Sequence, residues 1–360
     1  MTVTEGDKKK MRIGIIGGSG YVGGELLRIL LLHPQAEVTM ITSRQSAGEY
    51  IFNIHPNLRG LTQLKFVPQD IPELQKNCDL VFTATPHGGS VNLVPKLLEA
   101  GLKVIDMSAD FRLKNPADYE TWYGFKHSHP ELLKEAAYGL PELHREEIKK
   151  ARLVACPGCM ATATILALVP IIKAGLIDTS HIVADLKVGS SGGGSKPTSA
   201  SHHPERAGGV RPYKVIMHRH IGEVEQEACA IAGKKIAVSF TPHAVNMVRG
   251  ILATIHTFPK QPIAAKDVWK ALRGTYEGEP FIRLVKYLKG CYQLPDPKVT
   301  QGTNFCDIGF EIDPHANRLL MFSAIDNMVK GASGQGVQCL NLLMGIDETT
   351  GLKSTGFHPM

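Results

Sequence analysis

MRIGIIGGSGYVGG, residues 11–24, decides the fold class of this chain. The apolar run 11–17 predicts a short buried strand, and the glycine-rich residues 18–24 predict a tight turn. Residues 25–33 follow with apolar side chains on one side, which predicts a helix that Pro34 ends. A strand, a glycine-rich turn and a helix in this order are typical of the first unit of a nucleotide-binding α/β domain.

The spacing of the glycines in this turn indicates a dinucleotide site. Gly17, Gly20 and Gly23 follow a Gly-x-x-Gly-x-x-Gly pattern. Glycine allows the backbone to turn sharply and to approach a pyrophosphate closely, and the pyrophosphate then lies at the helix N-terminus. An ordinary glycine-rich turn is the alternative interpretation. The predicted cofactor-binding residues of the turn are Gly17, Ser19, Gly20, Tyr21, Val22 and Gly23.

The end of the second predicted strand, 37–42, bears on the choice between NAD and NADP. NAD sites usually carry Asp or Glu about 20 residues after the glycines, where it binds the ribose 2′-hydroxyl. Here the strand is followed by Ser43 and Arg44, with no acid. Both side chains suit a 2′-phosphate, so NADPH is the predicted cofactor, although a solvated surface arginine is the alternative for Arg44.

The remaining pattern predicts two α/β domains. Apolar runs at 79–85 and 103–107 alternate with a helix at 90–100, which is typical of a parallel, doubly wound, Rossmann-like sheet. After a predicted helix at 161–175, strand-like runs predominate and favour a mixed sheet in an α+β catalytic and dimerisation domain. These runs are 182–188, 235–240, 250–257, 281–284, 305–312 and 319–324.

We therefore expect four segments along the chain. Residues 1–10 are polar and form a disordered extension, 11–157 form the NADP-binding domain, and 158–328 form the catalytic domain. Residues 329–360 contain a helix at 333–345 that returns to the first domain. Within the catalytic domain, 189–211 lacks periodicity and predicts a long functional loop.

Composition narrows the classes of function. Of 360 residues, 43% are hydrophobic, the aromatic content is 6%, and the formal net charge is +6 with the basic residues dispersed. This pattern does not favour nucleic-acid binding and fits an anionic substrate or an acidic partner. No apolar run reaches the length of a membrane span. Seven scattered cysteines indicate a reducing compartment, and we expect a cytoplasmic protein.

The stretch from Cys156 to Cys159, CPGC, carries the strongest sign of catalysis. It places a thiol at the start of a predicted helix, where unpaired N–H groups and the helix dipole favour the thiolate nucleophile. A small buried cysteine is the alternative. The Cys-x-x-Cys spacing also matches a zinc or dithiol site, for which His218 and His220 are the nominal further ligands. Together with a nucleotide site, a poised thiol indicates redox chemistry at the aldehyde level.

Four further residues are candidates for the chemistry. If the segment 218–220, HRH, is extended, His218 and His220 face the same side and reach one site, where an imidazole serves as general acid and base. Arg112 and Arg249 lie next to predicted strands, and either is suited to hold a carboxylate or phosphate. A solvent-exposed side chain is the alternative for each of them.

Several separated motifs, taken in order, resemble the N-acetyl-γ-glutamyl-phosphate reductase family over nearly the whole chain. The resemblance implies a Cys159 nucleophile, with His220 in the active site and His218 as the alternative. It also implies that Asn327 holds the nicotinamide amide with Gly192 nearby, and that Cys156 stands where many members have Asn. The motifs are GGSGYVGGELLR at 17–28, SADFRL at 108–113, PGC at 157–159, SSGGG at 190–194, HRH at 218–220 with Glu223, SFTPH at 239–243 and DNMVKGASGQ at 326–335.

The loop 201–214 is similar to the lysine-pathway branch of this family. The resemblance implies NADPH-dependent reduction of an acidic acyl phosphate to a semialdehyde through a cysteine thioester, with the substrate on an acidic amino-group carrier protein. Arg206 and Arg211 are the expected docking residues, and a dimer or tetramer is expected. The alternatives are an arginine-pathway enzyme, an aspartate-semialdehyde dehydrogenase, and a non-enzymatic NADP-binding redox sensor in which Cys156 and Cys159 form a disulfide.

Overall fold

The computed structural model describes residues 10–358, which divide into two compact units. The first unit contains 10–111, Lys134–Cys156 and Gly336–Lys353, and the second contains Arg112–Leu133, Pro157–Gln335 and 354–358. The predicted disordered extension lies outside the described residues except for Lys10. No helix within residues 10–358 is long and apolar enough to cross a membrane.

A parallel sheet of six strands forms the centre of the first unit, as the alternating pattern predicted. Its order is β2-β1-β3-β4-β6-β5, and every neighbouring pair is parallel. Strand β3 is buried along its full length, which is usual for a parallel sheet covered on both faces. The strands are β1 Met11–Ile16, β2 Ala36–Thr42, β3 Leu80–Thr83, β4 Lys103–Asp106, β5 Ala137–Tyr138 and β6 Leu153–Ala155.

The first helix of this unit begins earlier than predicted. It runs from Tyr21 to Leu30, so Gly23 and Gly24 lie inside the helix and not in the turn before it. Leu26 and Leu27 are fully buried, which is the apolar side that the sequence predicted. The other helices assigned to this unit are Ile51–Ile54, Ile71–Asn77, Val94–Glu99 and Pro141–Lys150, with a single 3₁₀ turn at Pro56–Leu58.

The second unit contains a mixed sheet of seven strands in the order β11-β12-β13-β10-β7-β9-β8. The pairs β7–β9 and β11–β12 are parallel, and the other neighbours are antiparallel. Strand β10 alternates buried and half-buried residues, as the pattern at 250–257 predicted. The strands are β7 Ile177–Val188, β8 Arg211–Pro212, β9 Ser239–Ala244, β10 Ile251–Pro259, β11 Ile282–Leu284, β12 Cys306–Asp313 and β13 Arg318–Ile325.

Helices are more numerous in the second unit than the sequence suggested. Two long ones, His220–Ala232 and Ala265–Tyr276, were not predicted. The predicted strand 235–240 is observed later, at Ser239–Ala244, and the residues between Gly233 and Ser239 belong to neither the helix nor the strand. The remaining helices described are Ala117–Tyr123, Pro130–Glu135, Cys159–Lys173, His203–Arg206, Pro297–Thr300 and Gly334–Leu343, the last of which extends across the division between the units.

The division between the units differs from the expected segments at 112–133, 329–335 and 354–358, all of which group with the second unit. The first of these segments is held there by hydrogen bonds to the helix His220–Ala232. Arg112 donates to Glu223 at 3.1 Å, and the Lys114 N–H donates to the Gln226 side-chain oxygen at 2.8 Å. Such contacts between residues distant in sequence are not visible in the local pattern, which is why one unbroken domain to residue 157 was expected.

Candidate active site

Cys159 is the first residue of a buried helix, Cys159–Lys173. Gly158 precedes it as an extended N-cap, and the Gly158 carbonyl accepts the first hydrogen bond of the helix from the Thr162 N–H at 2.9 Å. The helix begins two residues before the predicted start at Ala161, so that it includes Cys159 and Met160. The thiol therefore lies in the first turn, and the residue remains half-buried.

Burial is the largest influence on the Cys159 thiol and raises its pKa. The Arg112 and Arg219 guanidinium groups and the Met160 N–H act in the opposite direction and lower the pKa. We expected the helix start alone to favour the thiolate, and this expectation is corrected. The cost of removing water from a charged sulfur is larger than the stabilisation that the neighbouring cations and the Met160 N–H provide. Burial therefore opposes formation of the thiolate at Cys159.

The two histidines of the HRH motif lie side by side, but not for the expected reason. Their ring centroids are 4.8 Å apart. The segment is not an extended strand, because His220 begins the helix His220–Ala232. The His220 N–H donates to Nδ1 of His218 at 3.2 Å, so a helix start brings the rings together. The expectation of an extended segment was wrong.

The His220 imidazole lies against the residue that precedes the thiol residue. The His220 ring packs on Gly158, so closely that a methyl group at Gly158 would meet the Cδ2 atom at 2.5 Å. His218 is buried and stacks on Phe240, and burial lowers its pKa to about 3. His218 is thus neutral at physiological pH. The exchange of a proton between His220 and Cys159 stays a prediction.

Glu223 links three parts of this unit and had no predicted role. It is fully buried, and its Oε2 accepts a hydrogen bond from the Gly158 N–H at 2.9 Å. Its Oε1 accepts from Nη1 of Arg112 at 3.1 Å. Glu223 follows His220 by three residues, so both side chains lie on one face of the helix. The family motif already included this acid one turn after HRH, but no function was assigned to it.

Arg112, a predicted anion contact, lies at this site with its side chain 5% exposed. Part of its hydrogen-bonding capacity is used by Glu223.

Two more groups near the thiol were not predicted. Arg219 acts electrostatically on Cys159 and lowers the pKa of its thiol. Tyr213 also interacts electrostatically with Cys159, and its ring packs against His218. Burial raises the pKa of Tyr213 to about 12. Arg219 is the middle residue of the HRH motif and Tyr213 lies five residues before it, but one sequence alone does not assign either of them a role at the thiol.

Asn327 connects two loops of the second unit. Its side-chain oxygen accepts from the Gly250 N–H at 2.7 Å, and its amide nitrogen donates to Oγ of Ser191 at 2.9 Å. Gly192 is adjacent, because a methyl group there would lie 3.9 Å from the same amide nitrogen. The Asn327 amide therefore already holds the loop that contains Gly192. Its expected contact with the nicotinamide remains a prediction.

Arg249, the second predicted anion contact, pairs with Asp326 at 3.5 Å and has a side chain that is 33% exposed. Asp326 is fully buried and also accepts from the Gly302 N–H at 2.7 Å. The segment that follows, Val329–Ser333, is a π-helical turn. Gly331 in this turn faces the thiol residue, since a methyl group there would meet Cβ of Cys159 at 2.6 Å. The turn therefore limits the space on one side of Cys159.

The expected docking arginines make backbone contacts in the loop that precedes HRH. Nη2 of Arg206 donates to the Val188 carbonyl at 2.9 Å, and Nη2 of Arg211 donates to the Glu205 carbonyl at 2.6 Å. Arg206 is half-buried and therefore supports the loop, whereas Arg211 is exposed. The tip beyond them exposes Val215 and Ile216, which lie between two residues of positive φ, Lys214 and Met217.

The glycine-rich turn of the first unit needs glycine at two positions. Gly17 has a φ of 81°, which favours glycine. A methyl group at Gly23 would lie 2.6 Å from Cα of Gly18, so the helix must begin close to the turn. Gly20 is the helix N-cap, and Tyr21 and Val22 begin the first helical turn, with Tyr21 48% exposed. The N–H groups of this turn form the kind of site that a pyrophosphate occupies.

The two residues predicted to bind the 2′-phosphate have different surroundings. Ser43 is buried, and its hydroxyl lies 2.9 Å from Oγ of Ser19 and accepts from the Ser46 N–H at 3.1 Å. Its hydroxyl therefore shapes the turn. Arg44 is exposed at the end of β2. Of the two predicted residues, Arg44 is the one available to contact a phosphate from solvent.

Family models match both parts of the chain. Residues 12–151 match the semialdehyde dehydrogenase NAD binding domain, and residues 159–327 match the semialdehyde dehydrogenase dimerisation domain. The protein of Saccharolobus solfataricus named "[LysW]-L-2-aminoadipate/[LysW]-L-glutamate phosphate reductase" is 51% identical over 98% of this chain and 99% of its own length. The chain belongs to this phosphate reductase family. A protein of the same name from Sulfurisphaera tokodaii is 50% identical over 97% of this chain and 99% of its own.

As a member of the phosphate reductase family, the chain is an oxidoreductase of the aldehyde level with an NAD(P)-binding domain. The predictions of fold class, enzyme class and family are confirmed. The aspartate semialdehyde dehydrogenase II of Vibrio cholerae has the same fold, with a TM-score of 0.70 and 19% identity over 94% of this chain and 99% of its own. No group of three or more His, Cys, Asp or Glu in residues 10–358 is arranged to hold a metal ion.

Proposed function

We propose that this chain uses NADPH to reduce an acidic amino-acid acyl phosphate, carried on an amino-group carrier protein, to the semialdehyde with release of phosphate. The observation that carries the proposal is the contact of the His220 ring with Gly158, next to a thiol at the start of a buried helix. A base beside a thiol is the arrangement that covalent acyl transfer needs.

In the proposed reaction His220 accepts the thiol proton while the Cys159 sulfur attacks the acyl carbon. A C–S bond forms, and the C–O bond to phosphate breaks. NADPH, when bound, supplies the hydride that reduces the thioester carbon. His220 then protonates the developing oxyanion and removes that proton again as the C–S bond breaks and the semialdehyde leaves. The same proton returns from His220 to the sulfur, and the proton consumed overall goes from solvent to the released phosphate. One acyl phosphate, one NADPH and one proton thus give semialdehyde, NADP⁺ and phosphate.

The raised pKa of the Cys159 thiol explains why a paired base is useful here. A neutral thiol does not react in the absence of the base, and transfer of its proton to His220 produces the thiolate where the substrate is attacked. Arg112 and Arg219 stabilise negative charge near the sulfur. Since the substrate is an anion, the same two cations favour its binding.

The experiment is intact-protein mass spectrometry of the enzyme mixed with an acyl phosphate in the absence of NADPH. Wild-type protein should gain the mass of one acyl group and release one equivalent of phosphate, and added NADPH should remove that mass. Cys159→Ser should gain none, whereas Cys156→Ser, the matched control, should behave as wild type. An adduct that persists in Cys159→Ser would contradict the assignment of the nucleophile.

The substrate proposal rests on the names of the relatives, which combine aminoadipate and glutamate on the carrier LysW. We therefore expect this chain to reduce both carrier-linked phosphates, the intermediates of lysine and of arginine synthesis. The assay compares the two with free N-acetylglutamyl phosphate at equal concentration. A kcat/KM that is highest for the free N-acetylated substrate would favour an enzyme of arginine synthesis alone. Because catalysis needs a reduced thiol, we place the reaction in the cytoplasm.

The loop at 202–217 is the proposed docking surface for the acidic carrier. Arg211 and Lys214 are exposed and basic, and long-range attraction of an acidic partner depends on such charges. The Arg206→Ala, Arg211→Ala double variant should raise KM for carrier-linked substrate by about tenfold or more, at about 1 kcal/mol for each of the two lost contacts. Because Arg206 also supports the loop, Arg211→Ala alone is needed as the cleaner variant, with Lys266→Ala as an exposed control. An unchanged KM at low salt in both the double variant and Arg211→Ala would place docking elsewhere.

Homo-oligomerisation is proposed through the outer face of the mixed sheet. Three apolar side chains are half-buried on this face: Leu252 of β10, and Leu320 and Phe322 of β13. They share the face because paired residues of adjacent strands, and every second residue along each strand, point to the same side of a sheet. The family model that covers this unit is described as a dimerisation domain. Phe322→Asp should convert a dimer or tetramer to smaller species in sedimentation. Unchanged sedimentation would exclude this face.

A further inference from the structure

A buried histidine outside the thiol site contacts the glycine-rich turn of the first unit. His55 follows the short helix Ile51–Ile54 and is only 8% exposed. Its Nε2 lies 2.8 Å from the carbonyl oxygen of Gly18. A carbonyl only accepts hydrogen bonds, so Nε2 carries the proton and donates. Burial lowers the pKa of His55, which keeps the imidazole neutral.

The His55 ring is held in place from two sides. One is the first helix, where a methyl group at Gly24 would lie 2.5 Å from Cε1 and Nδ1 of the ring. The other is Phe66, whose ring meets the imidazole edge-on at 6.3 Å between centroids. A glycine at position 24 therefore makes room for the imidazole beneath the turn, and the ring has little freedom to move.

Contacts on both sides of Gly18 determine how its peptide groups are oriented. The Gly18 N–H donates to the Thr42 carbonyl at 3.0 Å, and the Gly18 carbonyl accepts from His55. A trans peptide is planar, with its C=O and N–H pointing in opposite directions. When the Gly18 carbonyl points at His55, the Ser19 N–H points away from it. Such outward N–H groups are the donors that hold a pyrophosphate.

We infer that His55 is a positioning residue for the cofactor pyrophosphate, which acts by fixing the Gly18–Ser19 peptide so that the Ser19 N–H is available as a phosphate donor. The HPNLRG segment at 55–60 had no function in the sequence analysis. The inference rests on cofactor binding by the NAD(P) domain and not on the identity of the substrate.

The experiment measures dissociation constants in the absence of substrate. Calorimetry is carried out with 2′-phospho-ADP-ribose, which contains the pyrophosphate, and with 2′-AMP, which lacks it. His55→Leu removes the donor and should weaken binding of 2′-phospho-ADP-ribose by tenfold or more while changing that of 2′-AMP less than twofold. His55→Gln, which keeps an N–H at a similar distance along the side chain, should recover most of the affinity.

Two outcomes would overturn the inference. Equal weakening of both ligands would mean that His55 only supports the fold, and an unchanged affinity for 2′-phospho-ADP-ribose would mean that the Gly18–Ser19 peptide keeps its orientation without it. If His55→Leu does not fold, His55→Phe fills the same space with a ring that has no donor, and the same two ligands decide. Failure of the thioester experiment at Cys159 would leave this result unaffected.

Discussion

The carboxylate of Glu223 accepts a hydrogen bond from the backbone N–H of Gly158 at 2.9 Å, one residue before the thiol. Its other oxygen accepts from Arg112, so one buried acid holds both the turn before Cys159 and a cation near it. A hydrogen bond to an ionised acceptor is stronger than one between neutral groups. The position of the thiol therefore depends on a side chain that does not itself react.

Replacement of Glu223 by Ala should strongly destabilise the protein. It would leave the Arg112 charge buried without its carboxylate, and removal of one partner of a buried pair costs about 3–5 kcal/mol. Glu223→Gln should cost less, because an amide oxygen still accepts from the Gly158 N–H. Urea unfolding measures both. Glu131→Ala, at a side chain that is 65% exposed, is the control; an equal midpoint for Glu223→Ala and this control would refute the role given to the bridge.

Gly158→Ala should reduce kcat and leave cofactor binding intact. The added methyl group would meet the His220 ring and displace either the imidazole or the thiol. A displacement near 1 Å in a catalytic arrangement lowers the rate by about 10²-fold. Steady-state kinetics and NADPH titration provide the two measurements. Gly193→Ala, where a methyl group meets no atom within 4 Å, should have near wild-type kcat.

The stability of the protein should depend on His218 at acidic pH. Burial lowers its pKa from 6.5 to about 3, so below pH 6.5 the unfolded chain binds a proton that the folded chain does not. The contribution is present above pH 6.5 and is lost as the pH falls towards 3. In His218→Asn the slope of unfolding free energy against pH should decrease by up to about 1.4 kcal/mol per pH unit in this window. Urea unfolding from pH 7 to 4 tests this, with a variant of the exposed His315, His315→Asn, as the control. Identical slopes for the wild type, His218→Asn and His315→Asn would contradict the contribution assigned to His218.

Arg44→Ala should reduce the preference for NADPH. Arg44 is exposed at the end of β2, and a charge-assisted contact with a 2′-phosphate contributes about 1.5–3 kcal/mol. NADPH should therefore bind about one to two decades more weakly, and NADH binding should be almost unchanged. Fluorescence titration with both cofactors measures the ratio, and exposed Arg59→Ala is the control. Equal weakening of both cofactors would indicate a role in folding instead.

Local pattern was sufficient for the first four strands of the parallel sheet and for the kind of chemistry, but not for β5, β6 or the placement of 112–133. Three features depend on interactions within a few residues. They are the apolar strand β1, the turn formed by the glycines from Gly17 to Gly23, and the helix that begins at the thiol residue. Backbone conformation and side-chain periodicity at this scale depend mainly on the residues themselves. The family resemblance added the choice of Cys159 over Cys156, which local pattern alone left open.

Tertiary structure decided the environment of each group. Four features depend on residues that are distant along the chain. They are the raised pKa of Cys159, the hydrogen bonds of Glu223, the packing of His220 on Gly158 and the contact between His55 and Gly18. The HRH motif illustrates the limit: residues two apart can share a side in a strand, but here a helix begins at His220. Burial and long-range contacts are properties of the packed chain, and one sequence contains no direct record of which distant residues will meet.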